Sequence, residues 1–441
     1  MKKLSNYTFA LLTCLFVGWS GVGQAQTELK ALAREMLLEL QKGEAELYAR
    51  YASDELLKAV PADQVAGIWN QLESQLGKAA PELVDPIENK LGENIQIIQP
   101  IKFGVMSLAF ISVFSKENKL TGIAFQPFQA QTSPSDSEKK APYDYPEKYE
   151  EEDISFASGT FTISGTLTTP KQANTNTLVV FVSGSGPNDR HSTVGPNKPH
   201  QDMARGLAGL GISTLRFDKR TFSAARQIQE EGLDITIDVE VVDDAVAAIE
   251  FAQKTGKYTK IIVLGHSLGG MFAPRIASKS QVSGIIIMAG NSRPLEVLIV
   301  EQFEKLLDGN PSKDRVLDEL KGKVANLDRL ASGDKLADDE LPLGQPAAYW
   351  KSLRAYDQVA TAQSLSVPIL LLQAEEDYQV TMDDFHGWKQ ALPQATTISY
   401  PNLDHLMRPS NGKIGMEAYA DQVFVSEQVI QDIANWIIKI K

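Results

Sequence analysis

The chain has 441 residues and a formal charge of −13, from 43 basic and 56 acidic side chains. Such a length supports a large core and more than one domain, and the acidic excess excludes nucleic-acid phosphate as a main partner. The single cysteine, Cys14, rules out a disulfide framework within the chain.

Residues 1–25 read as an export signal. Lys2 and Lys3 precede a short apolar run, Phe9 to Val17, and small residues then lead to a cleavage site near Ala25. That run is too short for a comfortable membrane span, and no later stretch approaches roughly eighteen apolar residues. The expectation is an exported protein, periplasmic or extracellular, with no stable span in the mature chain. An uncleaved anchor and a lipid on Cys14 are the alternatives. Thr13 suits the second poorly.

Residues 28–128 predict a small α+β domain. Leu32, Met36, Leu37 and Leu40 form a helical stripe, and Leu47 to Leu57 and Asp63 to Leu76 continue the helical pattern. Ile101 to Phe114 and Leu120 to Phe125, on either side of the turn Lys116 to Lys119, predict one β-hairpin. No cluster of His, Glu, Asp or Ser here suggests chemistry. A folding, lid or dimer-contact role is expected, and a homodimer through this domain is left open. Residues 129–142, rich in Ser, Lys and Pro, predict an exposed linker.

Over residues 143–441 strands alternate with helices. Asp153 to Ala157 and Thr160 to Thr168 read as a hairpin around Ser158-Gly159. Thr177 to Val182, Gly211 to Phe217, Ile261 to Leu264, Gly284 to Met288, Val367 to Gln373 and Thr396 to Tyr400 read as strands. Helical patterns occupy Met203 to Leu210, Val239 to Gln253, Leu268 to Ser278 and Gln422 to Ile440. This order predicts an α/β domain with a mostly parallel sheet, helices on both faces and an antiparallel hairpin at its start. Between about 295 and 360 the alternation lapses into a charged, helix-rich insertion, placed where a cap over a site is expected.

The chemistry centres on Gly265-His266-Ser267-Leu268-Gly269, between the buried strand and the helix that this G-x-S-x-G pattern requires. Glycine is needed on both flanks because a Cβ there would strike neighbouring backbone in so sharp a bend. The bend lifts the Ser267 hydroxyl above the sheet and leaves the Leu268 N–H free at a helix N-terminus, facing a prospective oxyanion. A serine hydroxyl needs a base. Of five histidines, His405 lies in the loop after the last strand, His191 and His200 follow an earlier strand, His386 sits in a helix, and His266 belongs to the elbow. A loop at the C-terminal edge of a parallel sheet favours His405. The orienting acid is expected from Glu375-Glu376-Asp377, with Asp377 favoured. Ser185, with Gly186 second, is expected to supply the other oxyanion N–H from the turn Val182 to Arg190. That turn lacks the spacing of a phosphate-binding loop.

Taken together, Gly184-Ser185-Gly186-Pro187-Asn188-Asp189-Arg190, Phe217-Asp218-Lys219-Arg220, the elbow and the Asp377 and His405 loops resemble bacterial α/β-hydrolase esterases. The nearest group is the serine aminopeptidase-like hydrolases, which include exported esterases with a small N-terminal domain of unknown role. The resemblance implies an α/β-hydrolase fold and cleavage of a small-molecule carboxylic ester through an acyl-enzyme. It implies Ser267, Asp377 and His405 as the triad, with no cofactor and no metal. Thr221 and Ala374 stand where such proteins often have glycine, which bears on loop shape. Asp218, Lys219 and Arg220 are expected to form structural ion pairs near the site, with contact to substrate as the alternative. Two other readings are a peptidase or amidase of the same fold and a non-catalytic binding module on this scaffold.

Overall fold

The computed structural model describes residues 29–76, 79, 85–91, 94–103, 107–127, 139–172, 175–311 and 313–440. The expected export signal and positions 129–138 of the expected linker lie outside the described residues. The chain divides into two compact units, Met1–Ala130 and Gln131–Lys441.

In the first unit, helices over 29–40, Glu46–Tyr51, Asp54–Ala59 and Ala62–Leu76 precede a four-stranded antiparallel sheet. Its strands are β1 (Ile87–Leu91), β2 (Asn94–Lys102), β3 (Ser107–Phe114) and β4 (Leu120–Pro127), paired in sequence order. Met36, Leu37, Leu40, Tyr48, Val65, Ile97, Phe110 and Phe114 are buried together, so the helical stripe faces the sheet. Two expectations are corrected. The helical pattern 47–57 breaks after Tyr51, because Ser53 caps a new helix by accepting the Leu56 N–H at 3.1 Å. The stretch 101–114 is not one strand: Ile101 and Lys102 end β2, and β3 starts at Ser107.

The second unit holds an eight-stranded sheet in the order β12-β11-β10-β9-β7-β8-β6-β5. β5 (Tyr149–Ser158) and β6 (Phe161–Pro170) form the antiparallel hairpin. β7 (Thr177–Val182), β8 (Ser213–Phe217), β9 (Lys260–His266), β10 (Gly284–Met288), β11 (Ile369–Ala374) and β12 (Thr396–Tyr400) run parallel. Alternation along the strands sorts their side chains into two cores. Val180, Val263, Ile285 and Leu371 pack under Asp243–Lys254, Leu268–Lys279 and the helical insertion. Phe181, Leu264, Ile286 and Leu372 pack under Pro199–Gly209 and Glu427–Lys439. The fold is the α/β-hydrolase arrangement, preceded by a small antiparallel-sheet domain.

The insertion contributes helices Leu295–Leu306, Lys313–Ala331, Ala347–Arg354 and Gln358–Gln363. It packs on the helix that follows Ser267, where the Tyr356 hydroxyl donates to Met271 O at 2.9 Å. Three boundaries shift. The closing helix begins at Glu427 instead of Gln422. The pattern 239–253 divides into a π-helical turn, Asp238–Val242, and the α-helix Asp243–Lys254. Ala141, placed in the linker by its neighbours' composition, is buried in the second core.

Burial raises the Asp202 carboxyl, on helix Pro199–Gly209, to about 7 from 3.8, although the Val425 N–H donates to it at 3.2 Å. Folding therefore holds a proton that the unfolded chain loses. The associated stability is full below pH ~4 and is lost as pH rises towards ~7. Asp202→Asn keeps an acceptor for Val425 and removes the buried charge. Its unfolding free energy should exceed that of the parent at pH 8, by about 1–2 kcal/mol after allowance for partial exposure, and match it near pH 4. An equal change at both pH values would refute this account.

Candidate active site

Ser267 stands between β9 and helix Leu268–Lys279 with φ 57° and ψ −123°, a strained conformation for a residue with a side chain. The neighbouring packing enforces it. A Cβ at Gly265 would lie 2.1 Å from Gly269 O, and one at Gly269 would lie 2.3 Å from Val182 O. Only hydrogens fit where β9, the helix start and the end of β7 converge. The Ser267 amide donates to Met288 O at 2.9 Å, which ties the elbow to the end of β10. The packing around both positions agrees with the expected reason for the two glycines.

The loop after β7 reaches the same point. A Cβ built on Gly184 would lie 3.0 Å from Ser267 Cβ and 3.4 Å from its Oγ, so Ser185 is one residue from the serine. Gly186 is exposed, with φ 84°. Leu268 provides the first amide of its helix, a position without an intrahelical acceptor.

At the end of β11, Asp377 is buried while Glu375 and Glu376 are exposed. Asp377 Oδ2 accepts from His405 Nδ1 at 2.6 Å, and its Oδ1 accepts the Gln379 and Val380 amides at 2.7 and 3.0 Å. Glu375 Oε1 instead accepts from the Ser399 hydroxyl at 2.7 Å. The two loops are zipped together by backbone bonds from Glu375 N to Tyr400 O at 2.9 Å and from Glu376 N to Leu403 O at 3.1 Å. The elbow and the histidine loop are joined directly. His266 Nε2 donates to His405 O at 2.8 Å, and their ring centroids lie 4.7 Å apart. Burial, with His405 alongside, pushes His266 down to about 3, so it is a neutral donor.

The other histidines go elsewhere. His200 is buried, its ring 6.1 Å from that of His266, and burial holds it neutral. His191 lies 3.2 Å from Arg216 Nη1 and is pushed down to about 4 by burial, then by that guanidinium. His386 is exposed on helix Met382–Ala391.

Several supporting residues were not singled out from the sequence. Asp404 and Arg408 pair at 2.7 Å beneath the histidine loop, with Arg408 also donating to Ala418 O and, at 3.2 Å, to Asp421 O. An Asp four residues before an Arg, next to a candidate base, was the available signal. Asn188 Nδ2 donates to the carbonyls of Gly184, Ser185 and Gly186 at 3.1, 2.8 and 3.2 Å. As expected, Asp218 pairs with Arg190 at 2.7 Å, Lys219 with Glu240 at 2.8 Å, and Arg220 with Asp244. Thr221, within the turn Arg220–Ser223, and Ala374, at the end of β11, both keep φ outside the left-handed region. Loop shape there needs no glycine. Among the described residues no group of three His, Cys, Asp or Glu side chains is arranged to hold a metal ion, and no helix is long and apolar enough to cross a membrane.

The family model described as serine aminopeptidase, S33, matches residues 197–408. That span contains Ser267, Asp377 and His405 and begins after the loop at Ser185. Esterase EstD of Thermotoga maritima is 32% identical over 397 residues, which is 88% of this chain and 90% of that protein. Among solved structures, Est1E from Butyrivibrio proteoclasticus is 12% identical, with a TM-score of 0.43, covering 65% of this chain and 98% of that one. The proline iminopeptidase of Mycobacterium smegmatis is 14% identical, with a TM-score of 0.44 and the same two coverages. With 32% identity over 88% of this chain and 90% of that one, and with this sheet and elbow, the protein belongs to the α/β-hydrolase serine esterase family of EstD.

Proposed function

We propose that the protein hydrolyses carboxylic esters through an acyl-enzyme on Ser267, with His405 as general base and acid and Asp377 as its orienting carboxylate. The observation that carries this reading is the 2.6 Å contact of His405 Nδ1 with a buried Asp377, on a loop bonded to the residue before a strained serine. Donation of Nδ1–H to Asp377 leaves the other ring nitrogen free to take the Ser267 proton as Oγ attacks the acyl carbonyl. The oxyanion is held by the Leu268 N–H and the Ser185 N–H, with Gly186 as the alternative donor. His405 then gives the proton to the leaving alcohol. Water, activated in turn by His405, releases the acid and restores Ser267.

A second reading, amide or peptide hydrolysis, is favoured by the serine aminopeptidase family match. One panel separates them: p-nitrophenyl esters of graded chain length beside aminoacyl-anilides. The ester reading expects kcat/KM on the best ester to exceed that on the best anilide by at least about 10³-fold, or ~4 kcal/mol of barrier. Anilide turnover equal to ester turnover would replace it with the second reading.

The charged start, apolar run and small residues up to Ala25 support export to the periplasm or beyond. A mature protein whose mass retains those residues would contradict this.

A further inference from the structure

Lys219 is a buried cation that the triad does not use. It follows β8, is 3% exposed, and its Nζ donates to Glu240 Oε1 at 2.8 Å. An ion pair alone would need nothing more. The same Nζ also donates to Gly184 O at 3.1 Å, and the Lys219 amide donates to Asn188 O at 3.1 Å. Gly184 is the residue that abuts Ser267. A trans peptide points its carbonyl and the following N–H in opposite directions. With the Gly184 carbonyl held by Lys219 and Asn188, the Ser185 N–H is turned away from both. The cation therefore sits at the acceptor end of the one peptide whose donor end is the Ser185 amide.

We propose that Lys219 is a positioning residue for ester hydrolysis: its ammonium fixes and polarises the Gly184–Ser185 peptide so that the Ser185 N–H stabilises the oxyanion. The proposal rests on the serine-esterase reading above. A charge on the carbonyl draws electron density through the amide and strengthens its N–H as a donor. That gain grows as negative charge develops on the substrate oxygen, so it belongs to the transition state and appears in kcat more than in KM. Glu240 serves as counter-charge, carried on the π-helical turn Asp238–Val242, an irregularity often found at functional sites.

Lys219→Met alone would strand the Glu240 carboxylate, so the test pairs it with Glu240→Gln and adds Lys219→Arg as the charge-retaining variant. Each is first shown folded by circular dichroism and thermal melting, then assayed on a p-nitrophenyl ester. The expected result for Lys219→Met/Glu240→Gln is a kcat about 10- to 100-fold below the parent with KM within about threefold. Lys219→Arg should retain at least about tenfold more kcat than the double variant. A folded double variant with parental kcat, or a loss confined to KM, overturns the role of Lys219 and leaves the esterase reading intact. If the double variant does not fold, Lys219→Gln replaces it, with the same expected loss and the same contrary result. Failure of the parent to form a fluorophosphonate adduct on Ser267 would instead remove both.

Discussion

Asp377→Asn is expected to lower kcat by up to about 10⁴-fold while leaving the fold in place. The reason lies in which atoms surround the carboxylate. Two backbone amides, of Gln379 and Val380, donate to Oδ1. An asparagine must present its carbonyl oxygen to those amides and therefore its NH2 group to His405. His405 Nδ1 then becomes an acceptor, the ring proton moves to the other nitrogen, and that nitrogen no longer takes the Ser267 proton. Glu375→Gln and Glu376→Gln should stay within roughly tenfold of the parent, about 1.4 kcal/mol of barrier, since both side chains are exposed and Glu375 is engaged by the Ser399 hydroxyl. Steady-state kinetics on one ester checks all three. A crippled Glu376→Gln beside an active Asp377→Asn would reverse the assignment.

Gly269→Ala is the second large effect. Its new Cβ would meet Val182 O at 2.3 Å and Ser183 O at 2.7 Å, both backbone atoms at the end of β7. Neither moves without shifting the loop that brings Gly184 against Ser267. Overpacking of this kind costs about 1–3 kcal/mol or more, and an oxyanion donor displaced with the loop should cost at least about 10²-fold in kcat. Gly322 makes the contrast. It lies inside helix Lys313–Ala331, and a Cβ there would meet nothing within 4 Å. Gly322→Ala should leave kcat unchanged and raise stability by up to about 1 kcal/mol. Thermal melts and kcat for the two alanine variants give the comparison, and a fully active Gly269→Ala would contradict the close-packed elbow.

These expectations follow from features that differ in how far the sequence announces them. The elbow was legible because its constraint is local: two glycines, a serine, and an aliphatic run before it. The parallel strands were legible because burial on both faces leaves a continuous apolar signature, as in Ile261 to Leu264. β1 and the extent of β2 were not, since Ile87–Leu91 carries Glu88, Asn89 and Lys90 and has no apolar run to mark it. The break at Ala52 was readable in principle, because Ser53-Asp54-Glu55 is a helix-start pattern. It was hidden by helical spacing on both sides. Asp377 was favoured over its two neighbours by loop geometry and resemblance. What distinguishes it physically is burial against His405, 28 residues further along the chain. Asn188, Arg408 and the link from Lys219 to Gly184 are contacts between loops, and no periodicity encodes them.

The central claim is that Ser267 is the nucleophile and that His405 activates it. Intact-protein and peptide mass spectrometry after exposure to a fluorophosphonate tests it most directly. The account predicts one adduct per chain on the peptide bearing Ser267, none on Ser267→Ala, and labelling slowed by at least about 10²-fold in His405→Ala. An adduct on another residue, or equal labelling of the parent and Ser267→Ala, would contradict it.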